Sequence, residues 1–220
     1  NTQTNSPLNR DVLDTFVRFG APAEVGYLGK PHVGSDHLKK VVAAMRQYIL
    51  EQGGGFRFST RLEDVRIRGG KLVSFTANGA EESCDALVLA VGHSARDTFE
   101  MLLARGLEMQ QKEFAVGVRI EHLQSAIGRA QYGSGYAALP PADYKLVSHA
   151  SDRAVFTFCM CPGGVVVPAA SEEGGVVVNG MSDFARDGRN ANSALVVQVR
   201  REDFGGDHPL AGVAFQRRLE

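Results

Sequence analysis

Cys159 and Cys161 bracket a single residue and stand directly before a Pro162-Gly163-Gly164 turn. A thiol at a strand end, beside backbone that glycine lets approach a ligand closely, is placed for redox work. Cys161 is the candidate for that role, as a thiol facing an electron-carrying cofactor. The packing alternative makes both cysteines small buried residues next to a turn. A regular strand would point both side chains to one face, where neighbouring positions rarely meet disulfide geometry. A zinc site would need two further ligands, and no paired Cys/His spacing supplies them, so no metal is expected.

A second polar group follows an apolar stretch. It comprises Asn179-Gly180-Met181 and then Arg186-Asp187-Gly188-Arg189-Asn190-Ala191-Asn192. Arg186 and Arg189 have the fork geometry to clamp a carboxylate or phosphate, with Asn179 and Asn190 fixing its orientation. The same residues also suit a solvated loop held by Asx turns.

The third group is Asp85–Thr98. An apolar run, Ala86–Val91, passes through Gly92 and His93 to Ser94. It reads as a buried strand feeding a helix through a tight glycine turn, with helix N–H groups aimed at an anion. Ser94 and Asp97 resemble a capping box with the shorter acid. The alternative is an ordinary strand–turn–helix whose glycine only turns the chain. His32, just before the Ser35 cap, is an acid/base candidate by its ordinary pKa, or a plain surface-loop residue. Gly133-Ser134-Gly135-Tyr136-Ala137-Ala138 fits G-x-G-x-x-A, but no strand leads into it and Pro140-Pro141 stops any helix, so it is not a dinucleotide turn.

The elements that must position these residues are legible from periodicity and turn signals. Helices are expected over Pro7–Phe19, over Asp36–Gln52 with Ser35 as N-cap, and from Ser94 to about Arg105. FRFST and three strands punctuated by Gly69-Gly70 and Asn78-Gly79 form a meander running toward Cys84. Beyond Gly106 the chain turns β-rich. Strands are expected over Phe114–Ile120, Tyr144–Ser148, Ala154–Met160, Gly164–Val167, Gly175–Val178 and Leu195–Val199, with a short helix at Ser125–Ala130. The closing VAFQRRLE reads as an amphipathic helix. The fold class is therefore α/β in the mixed α+β sense, in two parts, 1–107 and 108–220, which could interleave.

Composition bounds the function classes. The chain has 220 residues, 44% hydrophobic and 22% charged, which is enough for a real core. A net charge of −1 gives no pull toward nucleic acid or acidic membranes, and no basic patch carries interleaved aromatics. No apolar run nears the roughly 20 residues of a membrane helix. Three cysteines fit a reducing cytoplasm better than a disulfide framework.

Five segments carry a more specific resemblance: KPHVGSDHLKKVV (Lys30–Val42), VLAVGHSARDTFEML (Val88–Leu102), GVRIEH (Gly117–His122), FCMCPGGVVV (Phe158–Val167) and VNGMSDFARDGRNAN (Val178–Asn192). Together they resemble the uncharacterised FAD-dependent dehydrogenases of bacteria, in the flavoprotein class with two dinucleotide-binding folds. The triplet Ala90-Val91-Gly92 departs mildly from that class's Ala-Thr-Gly. The resemblance implies a partial FAD-binding three-layer unit with its meander, followed by a β-rich substrate-side domain. It implies FAD contact by the backbone of Val91, Gly92, His93 and Ser94, and by Val65 near the adenine end. It places Cys161, Pro162, Gly163, Gly164 and the Arg186–Asn190 loop toward a small-molecule substrate. It also implies that the Gly-x-Gly-x-x-Gly turn would precede Asn1 and the last flavin-covering segment would follow Glu220, so that the chain is an internal piece, inactive alone. A non-catalytic binding module on the same fold is the alternative.

Overall fold

The computed structural model describes residues 6–29, 31–149 and 152–220. Lys30, which heads the first resembling segment, lies outside the described residues. Helices and antiparallel sheets combine in a mixed α+β fold, as expected. The chain forms two units that interleave in sequence: one from 1–56, 116–169 and 177–198, the other from 57–115, 170–176 and 199–220. The sequence-based division at 107/108 falls within the second unit's first segment. No described helix is long and apolar enough to cross a membrane.

In the first unit, α1 (Pro7–Arg18) begins with Pro7 at a helix start, where its missing N–H costs nothing. Its Leu13, Phe16 and Val17 pack on a core of Ala21, Val25 and Val41, the last contributed by α2 (Ser35–Glu51). The sheet of this unit has the order β4-β9-β6-β5, built from β4 (Phe114–Leu123), β5 (Val147–Ser148), β6 (Val155–Cys161) and β9 (Asn190–Val199). Strand β6 runs antiparallel to both β5 and β9. Helix α4 (Gln124–Tyr132) follows β4, and β7 (Val165–Pro168) pairs antiparallel with β8 (Val178–Met181).

The second unit opens with the expected meander: β1 (Leu62–Arg68), β2 (Lys71–Ala77) and β3 (Ala80–Ser83). Gly69 and Gly70, and then Asn78 and Gly79, take the positive φ angles such hairpins demand. Helix α3 (Arg96–Ala104) and helix α5 (Ala211–Leu219) complete it, with Phe114, Phe204 and Phe215 ring centroids 5.2–6.1 Å apart.

Several sequence expectations are corrected. Ala86–Val91 is not a buried strand: no described strand pairs with it, and Val88 is 87% exposed. An apolar run becomes a buried strand only where partners cover its edges and faces, and β1-β2-β3 supplies none. FRFST is a turn rather than a strand, with Phe58 exposed. Helix α3 starts at Arg96 and is capped by Ala95 without a side-chain bond, so the Ser94–Asp97 capping box does not form. Asp97 instead accepts from the Thr98 N–H at 2.8 Å. Gly34, at φ +81, caps α2 in place of Ser35. Asn179–Met181 and Asn190–Asn192 are strand rather than loop.

One ion-pair network organises the second unit. Arg96 is 4% exposed, and its two terminal nitrogens reach Glu172 and Glu220, each at 2.6 Å, with Gln216 at 3.2 Å. Arg217 then joins Glu172 at 2.7 Å to Glu100 at 3.0 Å. A guanidinium this withdrawn from water is tolerable only because carboxylates satisfy it. Arg217 first, and Arg96 second, hold the Glu172 carboxyl down to about 2 from its ordinary 4.5. A carboxyl lowered on folding contributes stability above its unfolded pKa and withdraws it as pH falls through the folded value. Unfolding free energy, measured by denaturant titration, is therefore expected to fall between pH 4.5 and about 2. In Glu172→Gln that fall should be shallower, and an unchanged slope would contradict the assignment.

Candidate functional site

The first unit carries its chemistry where β4, β6, β8 and β9 come together. Asn192 and Ser193 are among the largest fully buried side chains of the molecule, although both are polar. Successive strand residues face opposite ways, so burial of Ala191, Asn192 and Ser193 in a row means that β9 is covered on both faces here. The Asn192 Oδ1 accepts a hydrogen bond from the Arg119 guanidinium of β4 at 2.5 Å. The same Arg119 nitrogen donates to the Cys159 carbonyl at 3.3 Å and lies 4.0 Å from Cys161 Sγ.

Glycine is required at the crossing points. A Cβ at Gly180 would run into the Arg119 guanidinium and Asn192 Oδ1. One at Gly163, which has φ +55, would strike the Arg186 carbonyl, and one at Gly188 the Gly163 carbonyl. The turn after β6 and the loop before β9 are thus stitched backbone to backbone. Gln124 adds a further tie, its Oε1 accepting from the Gly163 N–H at 3.0 Å.

The two cysteines do not share a face. The β6–β9 register shifts between Phe158 and Cys161, and Cys159 sits in the left-handed region at φ +50. This irregularity breaks the alternation, leaving Cys159 exposed and Cys161 buried. Burial pushes the Cys161 thiol above its ordinary pKa and proximity to Cys159 adds to this, against the opposing pull of Arg119. At neutral pH Cys161 is therefore a protonated thiol, with Sγ 3.4 Å from the Cys159 carbonyl that accepts its hydrogen. Pro162 and Gly164 are buried beside it.

The other expected residues have definite places. Asn179 Oδ1 accepts from the N–H of the next residue, Gly180, at 2.8 Å. Asn190 donates to Glu121 at 2.8 Å. Arg189 is exposed, and its carbonyl accepts from Gln124 N. Arg186 is half-buried with φ +52. His32 bonds through Nε2 to the Asp183 carbonyl at 2.9 Å. His37 stacks on Phe184 with centroids 4.7 Å apart, docking the 182–184 segment on the start of α2. Ser35 and Asp36 reinforce that docking through Asp183 Oδ1 and Phe184 N, at 2.8 and 2.9 Å. The sequence reading singles out none of Arg119, Gln124 and the His122–Tyr144 pair, 2.7 Å apart, and gives Asn192 no role beyond closing the polar loop. The available signal was the arginine within the alternating strand 114–120 and the Asn-Ala-Asn-Ser run entering a strand. Among the described residues no three His, Cys, Asp or Glu come together as a metal site.

In the second unit Val91, Gly92 and His93 are exposed, and Ser94 Oγ lies 3.0 Å from His93 Nδ1. Gly92 has φ +74, with open space around the position a Cβ would take. This exposed glycine backbone leads to the start of α3, where the Thr98 N–H is taken by Asp97 Oδ1 and the Arg96 N–H by the Ser94 carbonyl. Val65 is buried in β1 opposite Phe75, and its N–H is taken by Asp64 Oδ1 at 2.8 Å.

Residues 113–220 match the family model described as "FAD-dependent protein, C-terminal domain-like", which supports a FAD-dependent family. A protein of Clostridium beijerinckii, described as an uncharacterized protein, is 53% identical over 213 residues, or 95% of this chain. The chain spans about 40% of that relative's length.

Substituting Gly180→Ala should cost about 1–3 kcal/mol in denaturant unfolding, as a methyl group is forced into a packed site. Gly135→Ala, where a Cβ meets nothing within 4 Å, should change stability by less than about 0.5 kcal/mol. Cys161 should also react faster with a thiol reagent in Gly180→Ala, because its cover is loosened. Equal effects from the two substitutions would contradict this packing.

Proposed function

We propose that this chain is a segment of a FAD-dependent oxidoreductase that acts on a small-molecule substrate. The observation that carries the reading is the match of residues 113–220 to a FAD-dependent protein's C-terminal domain, because that stretch contains both the Cys161–Gly164 turn and the Arg186–Asn190 loop. Agreement with a much longer relative over nearly all of this chain is consistent with a segment.

On this reading the exposed Val91–Ser94 backbone holds FAD phosphate, with Val65 near the adenine end. FAD, when bound, supplies the exchange of an electron pair with the substrate. The chain's own residues position and insulate. Cys161, Pro162, Gly163 and Gly164 form one rigid wall on the substrate side, held by Arg119, Asn192 and Gln124. Asn179, Arg186, Arg189 and Asn190 contribute polar contacts to the substrate. The protonated state of Cys161 suits it to pack or donate a hydrogen bond rather than act as a thiolate.

The visible absorbance of the purified proteins tests the reading. The longer protein should carry oxidised-flavin bands. The 220-residue chain alone should bind added FAD weakly or not at all, because it contains no Gly-x-Gly-x-x-Gly turn in a strand–turn–helix setting. A colourless longer protein that takes up no added FAD would favour the non-catalytic binding module. Tight stoichiometric flavin in the short chain would overturn the division of labour proposed here.

A further inference from the structure

Arg186 is unlike the other well-placed arginines of the molecule. Arg57, Arg61, Arg66, Arg96, Arg105 and Arg217 each meet a carboxylate. No described carboxylate pairs with Arg186, and its Nε is withdrawn from solvent with no hydrogen-bond partner among the described residues. Asp143 acts on it only through space. Its position is nonetheless fixed. Its carbonyl abuts Gly163, its φ is +52, and Gly188 closes on the Gly163 carbonyl two residues later. A half-desolvated guanidinium held rigidly without a counter-charge is costly. Burial lowers its pKa accordingly.

A second observation has the same sign. Across the β6–β9 ladder from Cys161, the fully buried Asn192 has an Nδ2 with no acceptor. Its Oδ1 is already committed to Arg119, so the amide cannot be turned round to cure the deficit. The unmet hydrogen-bonding capacity of Arg186 and Asn192, to either side of the Cys161–Gly164 turn, therefore consists of donors. What satisfies such a surplus is an acceptor bearing negative charge.

We infer that Arg186 receives an oxyanion, so that the ligand of this turn-and-loop corner carries a carboxylate or a phosphate group. Calling that ligand the substrate rests on the proposed function, whereas the anion binding does not.

The test uses the 220-residue chain without flavin, at fixed ionic strength. Benzoate and inorganic phosphate are titrated separately, followed by calorimetry and by the Arg186 Nε–H resonance. The expected result is saturable binding of one probe that moves that resonance, with at least tenfold weaker binding in Arg186→Gln. Arg186→Lys should bind with intermediate strength, and Arg68→Gln, at an exposed arginine of β1, within about twofold of the parent. The probe that saturates distinguishes a carboxylate ligand from a phosphate ligand. Binding left unchanged in Arg186→Gln, or no shift of the resonance with either probe, overturns the inference. Should Arg186→Gln fail to fold, the resonance in the parent chain still decides. Anion binding in a protein that takes no flavin would separate failure of the proposed function from success of this inference.

Discussion

The hydrogen bond from Arg119 to Asn192 is the constraint around which the first unit's candidate site is built. It is 2.5 Å long and joins a guanidinium to a fully buried amide. A half-buried guanidinium on β4, the edge strand of the sheet, has few acceptable solutions. Here the solution fixes its neighbours: residue 180 has to be glycine, the Cys159 carbonyl has to turn toward Arg119, and β6 has to lose its register to let it do so. The strained Cys159 backbone and the burial of Cys161 are then consequences of one polar contact rather than separate features.

The two units handle buried arginine differently, and the contrast is informative. Arg96 is neutralised by two carboxylates and an amide through its two terminal nitrogens, its Nε alone lacking a partner among the described residues, and the ions rigidify the packing of α3 and α5. Arg119 is satisfied by neutral acceptors, and Arg186 by none of the described groups. Structural arginines close their charge within the fold, since leaving it open costs more than any packing gain returns. An arginine left open on a loop clamped by glycine contacts is therefore the one whose partner should be sought outside the fold.

The sequence made legible those features that depend on local chemistry. Periodicity located α1 and α2, the glycine pairs located the hairpins of the meander, and Gly106 marked the end of α3, where it takes φ +81. What it misplaced depends on partners distant in the chain. Ala86–Val91 has the composition of a buried strand, yet composition cannot supply a neighbouring ladder. Asn190–Asn192 has the composition of a loop, yet pairing with β6 draws it into a strand. The candidate residues of the turn and loop were found because proline, glycine and arginine announce themselves. The pairing of Arg119 with Asn192 was not, because it is a contact spanning 73 positions.

The exposed Ala86–Val91 run and the unmet donors near Cys161 are the same kind of observation in different chemistries. Folded chains bury apolar side chains and pair polar groups because both are costly to leave undone. One segment here leaves four large apolar side chains partly open, among them Val88, Leu89 and Val91, and another leaves buried N–H groups unpaired. Neither deficit is relieved by the chain's own described residues, and each specifies what would relieve it: apolar cover for the first, an anionic acceptor for the second. The chain aligns over 95% of its length with 40% of a longer relative, and both deficits lie within the aligned length of a protein that has further residues of its own.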